Sequence, residues 1–188
     1  MYKMICVLSL MMFFSCSSDH NTSDTDSNEI KEDLYTYNVE EKIKELGFDL
    51  VVPGKPVAKY VHSVRTGNLV FMSGKGPRDK DGKLIVGKVG KDLTVEQGYE
   101  AARRVAIAQL GALKAEIGDL NKVRRVVKVL GMVNATPEFG NHPEVINGFS
   151  ATMLEVFGER GEHARAAVGM GSLPRNMAVE IEMIVEVE

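Results

Sequence analysis

Residues 163–188 read HARAAVGMGSLPRNMAVEIEMIVEVE, and the alternation inside them decides the fold. In the second half Val179, Ile181, Met183, Val185 and Val187 alternate with Glu180, Glu182, Ile184, Glu186 and Glu188. A period of two gives a half-buried strand with one apolar and one mostly acidic face. In the first half Ala164, Ala166, Val168 and Met170 take one face and Arg165, Ala167 and Gly169 the other, so a guanidinium stands among small residues with room beside it for a small anion. Between the halves, Pro174 fixes φ and Asn176 tolerates the left-handed region, which is turn chemistry. The stretch is expected to form a hairpin with Arg165 on one strand and Glu180 on the next.

Working outward, residues 39–46 place Val39, Ile43 and Leu46 on one stripe before Gly47, a short helix at the domain entry. After the Pro53-Gly54 turn, Val57 to Val64 alternate as a strand that puts Tyr60 and His62 on one face, and Thr66-Gly67-Asn68 turns it into a second strand, Leu69 to Gly74. Leu84-Ile85-Val86 reads as a short edge strand. Thr94, with Gln97 three residues on, caps a long helix that Gly118 closes, and its many alanines predict close packing on a flat surface such as a sheet. Val123 to Val133 returns to strand character, and Pro143 opens a second amphipathic helix over 143–157. The order ββ(β)αβαββ predicts an α+β domain of two layers, a mixed β-sheet with two helices packed on one face. The other face, expected to carry Arg165, Glu180, Glu182 and Tyr60, suits a partner subunit, and an oligomer completes the architecture.

At 188 residues, 44% hydrophobic, the chain holds one domain of ordinary size. A net charge of −3 with no long Lys/Arg run lacks the basic footprint of phosphate-backbone binding, so nucleic acid is not an expected partner. Residues 4–15 form a short apolar run behind Lys3, read as a signal segment over 1–15. Cys16 follows directly and resembles the lipidated cysteine of bacterial lipoprotein signals, although Phe13 and Phe14 replace the usual small or aliphatic residues there. An ordinary cleaved signal is the alternative, and both readings imply export to the cell envelope, the first with a membrane anchor. Residues 16–38 are polar and acidic and read as a flexible tether, which leaves 39–188 as the folded domain. Cys6 and Cys16 are the only cysteines, so that domain has no thiol for disulfides, metal ligation or nucleophilic attack.

GxSxG, HExxH, P-loop and strand-borne GxGxxG signatures are all missing. His20, His62, His142 and His163 are scattered without close-spaced carboxylates and read as surface or structural residues, so no metal is expected. What remains is Arg165 and Glu180. From the residues alone the pair reads either as a cross-strand ion pair on a solvated face or as a site that binds a carboxylate and holds a water.

Over roughly residues 52–188 the chain resembles the RidA/YjgF family of reactive intermediate deaminases. The matching pieces are Tyr60 with Val64-Arg65-Thr66-Gly67-Asn68, Leu69 to Gly74, Val126 to Val133, Ala164-Arg165-Ala166-Ala167-Val168, Leu173-Pro174 and Val179-Glu180-Ile181-Glu182, in matching order and spacing. The resemblance implies a chorismate mutase-like fold, a homotrimer with pockets between subunits, and hydrolysis of a small carboxylate-bearing enamine or imine to a 2-keto acid and ammonia with no cofactor. By that resemblance Arg165 pairs with the substrate carboxylate and Glu180 holds the attacking water. Tyr60, Ser73 and Asn147 are accessory pocket residues. Ala167 stands where many members have cysteine, at a place where the family uses mainly backbone groups. Two other readings stay open, a non-catalytic small-anion-binding module of the same fold and, against the charge balance, a ribonuclease.

Overall fold

The computed structural model describes residues 34–54, 56 and 58–188. The expected signal segment, Cys16 and most of the expected tether lie outside the described residues. Five strands, β1 (Ser63–Thr66), β2 (Leu69–Lys75), β3 (Val123–Asn134), β4 (Ala164–Met170) and β5 (Val179–Val187), form one mixed sheet in the order β1-β2-β5-β3-β4. Three helices accompany it, α1 (Val39–Glu45), α2 (Val95–Ile117) and α3 (His142–Phe157).

The helices form where their caps dictate. Thr94 Oγ1 accepts from the Gln97 amide (3.2 Å) and Gln97 Oε1 accepts from the Thr94 amide (2.9 Å), a reciprocal capping box. Gly118, at φ +80°, ends α2 in a conformation that costs only glycine little. Ala101, Ala102, Val105, Ala106, Leu110 and Leu113 of α2 and Val145, Ile146, Phe149 and Met153 of α3 are fully or almost fully buried against the sheet. The two helices meet closely because Gly148 of α3 presents no side chain, and a Cβ there would collide with the Tyr99 carbonyl oxygen of α2.

The two runs of residues 163–188 do not form the expected hairpin. β5 lies antiparallel between β2 and β3, while β4 pairs in parallel with β3 at the sheet edge. A parallel pair needs a crossover connection, which α3 supplies, so β4 arrives on the far side of β3. The chain must then pass over the end of β3, about 10 Å for two strand spacings. Residues 171–178 make this crossing, with Arg175 (φ 54°) and Asn176 (φ 56°) both left-handed. It is pinned to the end of β3: buried Asn134 donates to Asn176 Oδ1 (2.9 Å), and the Lys88 ammonium donates to Asn134 Oδ1 (3.0 Å), Ala135 O (3.2 Å) and Gly171 O (2.6 Å).

Register sets the faces. Val129, Gly131 and Val133 of β3 face the helices and stand level with Arg165, Ala167 and Gly169 of β4 and with Met183, Ile181 and Val179 of β5. Leu130 and Met132, with Glu182 and Glu180 opposite them, point to the uncovered face. The expectation that Arg165 shares the uncovered face with Glu180 is therefore corrected, because the parallel register puts Arg165 beside Val129 on the helix side.

Three further boundaries differ from the sequence reading. β1 begins only at Ser63, and the expected strand through Tyr60 and His62 is an irregular segment tied to β2 by the Ser73 hydroxyl on Val61 O (2.6 Å) and the Ser73 amide on His62 O (2.9 Å). Leu84 and Val86 make single bridges, to Arg78 and Met177, rather than a strand. The ordered domain begins before residue 39. Tyr35 donates to Val123 O (2.6 Å) and packs on Phe157, Tyr37 donates to Val156 O (3.0 Å), and Asn38 caps α1, so the two tyrosine hydroxyls tie residues 34–38 to the domain.

Candidate functional site

Arg165 sits on the edge strand β4 and reaches toward α3. Its Nη1 donates to Asn147 Oδ1 (2.9 Å) and to Ser150 Oγ (3.0 Å), so the structure brings together two of the expected site residues, Arg165 and Asn147. Ala167 follows two residues later on the same face, packed against the core and level with Gly131, whose missing Cβ leaves space that Ile146 fills. Ser150 Oγ lies 2.9 Å from His163 Nε2, and His163 Nδ1 lies 2.6 Å from Gly161 O. A carbonyl only accepts, so Nδ1 carries the proton and Nε2 accepts from the serine hydroxyl. Burial holds the His163 pKa below the usual imidazole range; the Gly161 carbonyl opposes this and the Arg165 charge adds to it.

Glu180 is elsewhere, at the start of β5 on the uncovered face. Its carboxylate covers Gly74 of β2, where a Cβ would come 2.5 Å from Oε1. Burial raises its pKa above the ordinary glutamate value, and the neighbouring Glu182 charge raises it further. The β2–β5 register slips between Met72 and Lys75, at the place where the Ser73 and Ile181 carbonyls come within reach of one side chain. Buried Gln109 of α2 donates Nε2 to both, at 3.0 and 2.8 Å, and so fixes the backbone on which Gly74 and Glu180 approach.

Tyr60 and Ser73 lie on this second side. Tyr60 is exposed, with its ring edge-on to His62 at 6.4 Å. The Ser73 proton is committed to Val61 O, so its hydroxyl oxygen is left to accept. His62 Nε2 is 2.6 Å from Gly54 O and therefore donates, and its Nδ1 lies 3.2 Å from Lys75 Nζ and accepts. Burial lowers the Lys75 pKa.

The expected residues thus fall into two groups, Arg165, Asn147 and Ala167 at the β4–α3 edge and Glu180, Ser73 and Tyr60 at the β1–β2–β5 end; Cys16 lies outside the described residues. A shallow depression of about 350 Å³ on the uncovered face, lined by Val64, Phe71, Ser73, Leu130, Glu182 and Ile184 among others, contains neither Arg165 nor Glu180. Sequence reading missed Ser150, His163, Gly74, Lys75 and Gln109. The signal for His163 was its place two residues before Arg165, hence on the same strand face; nothing local marked Gln109 as the amide that bridges two strands. Among the described residues no three His, Cys, Asp or Glu gather as metal ligands do, and no helix is long and apolar enough to cross a membrane.

Comparison with known proteins places this arrangement. Residues 42–187 match the family model described as "YjgF/chorismate mutase-like, putative endoribonuclease". The chain is 40% identical over 145 residues, 77% of its length and 91% of the relative's, to Protein TCP17 of Trypanosoma cruzi. It is 25% identical over 135 residues, 71% of its length and 90% of the relative's, to a 2-iminobutanoate/2-iminopropanoate deaminase of Dermatophagoides farinae. A crystal structure of a protein of unknown function from Agrobacterium tumefaciens superposes with a TM-score of 0.73 at 45% identity, covering 80% of this chain and 94% of that one. With the family model spanning nearly all of the described domain and the sheet order and helix placement in agreement with that match, the chain belongs to the YjgF/RidA family.

Proposed function

We propose that the chain hydrolyses small carboxylate-bearing imines and enamines, of the 2-aminoacrylate type, to a 2-keto acid and ammonia, at sites assembled between the subunits of a homotrimer. Arg165 takes the substrate carboxylate in a charge-assisted two-point contact, and Glu180 holds the water that attacks the imine carbon. Glu180 takes a proton from the water as the C–O bond forms and passes it to the imine nitrogen, giving a carbinolamine; transfer of the hydroxyl proton to the amine nitrogen then lets the C–N bond break, releasing ammonia and the 2-keto acid. The observation that carries this reading is Arg165, braced through one nitrogen by α3 on the edge strand β4, with no other partner for its guanidinium among the described residues. The raised Glu180 pKa supports it, because a general base works best with a pKa closer to the operating pH. The relationship to the mite deaminase agrees in reaction class.

The trimer answers two needs of the single chain. It covers the face that exposes Val64 (57%) and Phe71 (42%), and it brings the Arg165 group of one subunit to the Glu180 group of another. Imines already hydrolyse in water, so positioning supplies much of the acceleration. Export with a lipid on Cys16 is part of the same proposal, and mass spectrometry of the mature N-terminus decides it: Cys16 with acyl mass is expected, and an intact Met1 would refute it. Ammonia release from imines generated in situ, wild type against Arg165→Ala, tests the activity. Equal rates would leave a non-catalytic binding module as the surviving reading.

A further inference from the structure

We propose that Ser150 and His163 act as a positioning relay for Arg165, occupying Nη1 so that the Nε/Nη2 edge of the guanidinium is presented to the ligand carboxylate. The inference rests on the carboxylate-binding role given to Arg165 above.

A proton count carries it. A guanidinium has five N–H donors, two of them on Nη1. Both of those are used, one on Asn147 Oδ1 at 2.9 Å and one on Ser150 Oγ at 3.0 Å. Ser150 can only accept from Arg165 if its own single proton points elsewhere, and it points to His163 Nε2 at 2.9 Å. That acceptor is available only because Gly161 O, 2.6 Å from Nδ1, holds the imidazole proton on the opposite nitrogen. The direction of every bond in the chain from Gly161 to Arg165 is thereby fixed. The ring itself is held edge-on to Phe149, and buried surroundings keep it neutral.

The consequence is geometric. Among the described residues the Nε–H and the two Nη2–H donors of Arg165 have no partner, and Nε with Nη2 forms the side-on fork that matches the two oxygens of a carboxylate. Asn147 and Ser150 are one turn apart on α3, so the helix clamps the arginine through a single nitrogen and leaves the opposite edge unclamped on β4, beyond which no further strand lies among the described residues. Ser150 and His163 are positioning residues, since neither needs to touch the ligand.

Calorimetric titration of the whole protein with pyruvate, a carboxylate that undergoes no deamination, tests the relay apart from catalysis. Arg165→Ala is expected to abolish binding. Ser150→Ala and His163→Phe, the latter keeping a ring against Phe149, should weaken it about tenfold, the order expected when a hydrogen bond to a charged group is lost. Ser150→Thr, which keeps the hydroxyl, should restore it. With an imine substrate the same two variants should raise KM and leave kcat near wild type. Loss of binding in Arg165→Ala but wild-type binding in both Ser150→Ala and His163→Phe would overturn the relay while sparing the carboxylate site. Wild-type binding by Arg165→Ala would overturn both. Nitrogen NMR of the unmutated protein gives an independent check: His163 must be protonated on Nδ1, and an Nε2–H tautomer would end the proposal even if a variant failed to fold.

Discussion

Arg165 and Glu180 lie on opposite faces of the sheet with β3 between their strands, Arg165 level with Val129 on the helix side and Glu180 level with Met132 on the uncovered side. A salt bridge between them within one chain is excluded by this topology, and a site that uses both must draw them from different subunits. Subunits carrying Arg165→Ala should therefore complement subunits carrying Glu180→Gln. Either variant alone should retain no more than about a hundredth of wild-type activity; after unfolding and co-refolding in equal amounts, about a quarter of wild-type activity should return, the fraction of pairwise interfaces in a mixed ring that combine two intact halves. Absence of any recovery in a mixture shown to contain hybrid trimers would remove the shared-site model.

Substitutions that conserve size separate the two roles. Arg165→Lys keeps the charge but not the planar fork, and should lower kcat/KM by about 10- to 100-fold, mostly through KM. Glu180→Gln keeps shape and loses the base, and should lower kcat by about 100-fold or more with KM little changed. Steady-state kinetics on one imine distinguishes these patterns from a purely structural role, in which both variants retain wild-type rates and differ only in thermal stability.

The environment of Glu180 sets a pH dependence. In the proposed reaction its carboxylate is the active form, and burial followed by the Glu182 charge raises its pKa above the ordinary 4.5. The acidic limb of kcat/KM should accordingly fall at a pH above 4.5, and Glu182→Gln should shift that limb toward lower pH. Stability follows the same sign: a carboxyl whose folded-state pKa is raised favours the fold below its ordinary pKa, and that contribution is lost as pH rises through the folded value. Glu180→Gln should thus gain in Tm relative to wild type at pH 8 and lose that gain at pH 4. A pH-independent difference in Tm would show that the carboxyl is not desolvated in solution.

Gly148 sets the spacing of α2 and α3. Gly148→Ala places a methyl group against the Tyr99 carbonyl, backbone that cannot rotate away, and should cost about 1–3 kcal/mol. Urea unfolding measures this. A neutral result would mean that the helices separate freely and that α3 does not hold Asn147 and Ser150 rigidly under Arg165.

What was legible in the sequence was what local rules encode. The Thr94–Gln97 box, Pro143 at the start of α3 and the strict alternation of 179–187 each fixed an element, because capping and period depend on neighbours in the chain. The insertion of β3 between β4 and β5 was not legible, since two adjacent strand-like runs with a turn between them read as a hairpin unless the long-range parallel pairing is known. That one error placed Arg165 on the wrong face and hid His163, which reads as an incidental histidine until Ser150 is seen beside it. The grouping of Tyr60, Ser73 and Glu180 at one end of the sheet depends on the register slip at Lys75 and the amide of Gln109, neither of which leaves a local trace.

β5 follows the other four described strands in sequence and occupies the middle of the sheet, hydrogen-bonded on both sides. A ribosome releasing the chain at about 5–20 residues per second delivers those four strands before the one they close upon. Until residues 179–187 emerge, β1–β2 and β3–β4 are two separate pairs with an unfilled slot between them. Deletion of residues 179–187 would accordingly not fray an edge but divide the sheet in two, so the order of synthesis, not only the strength of its contacts, delays closure of the sheet until β5 is made.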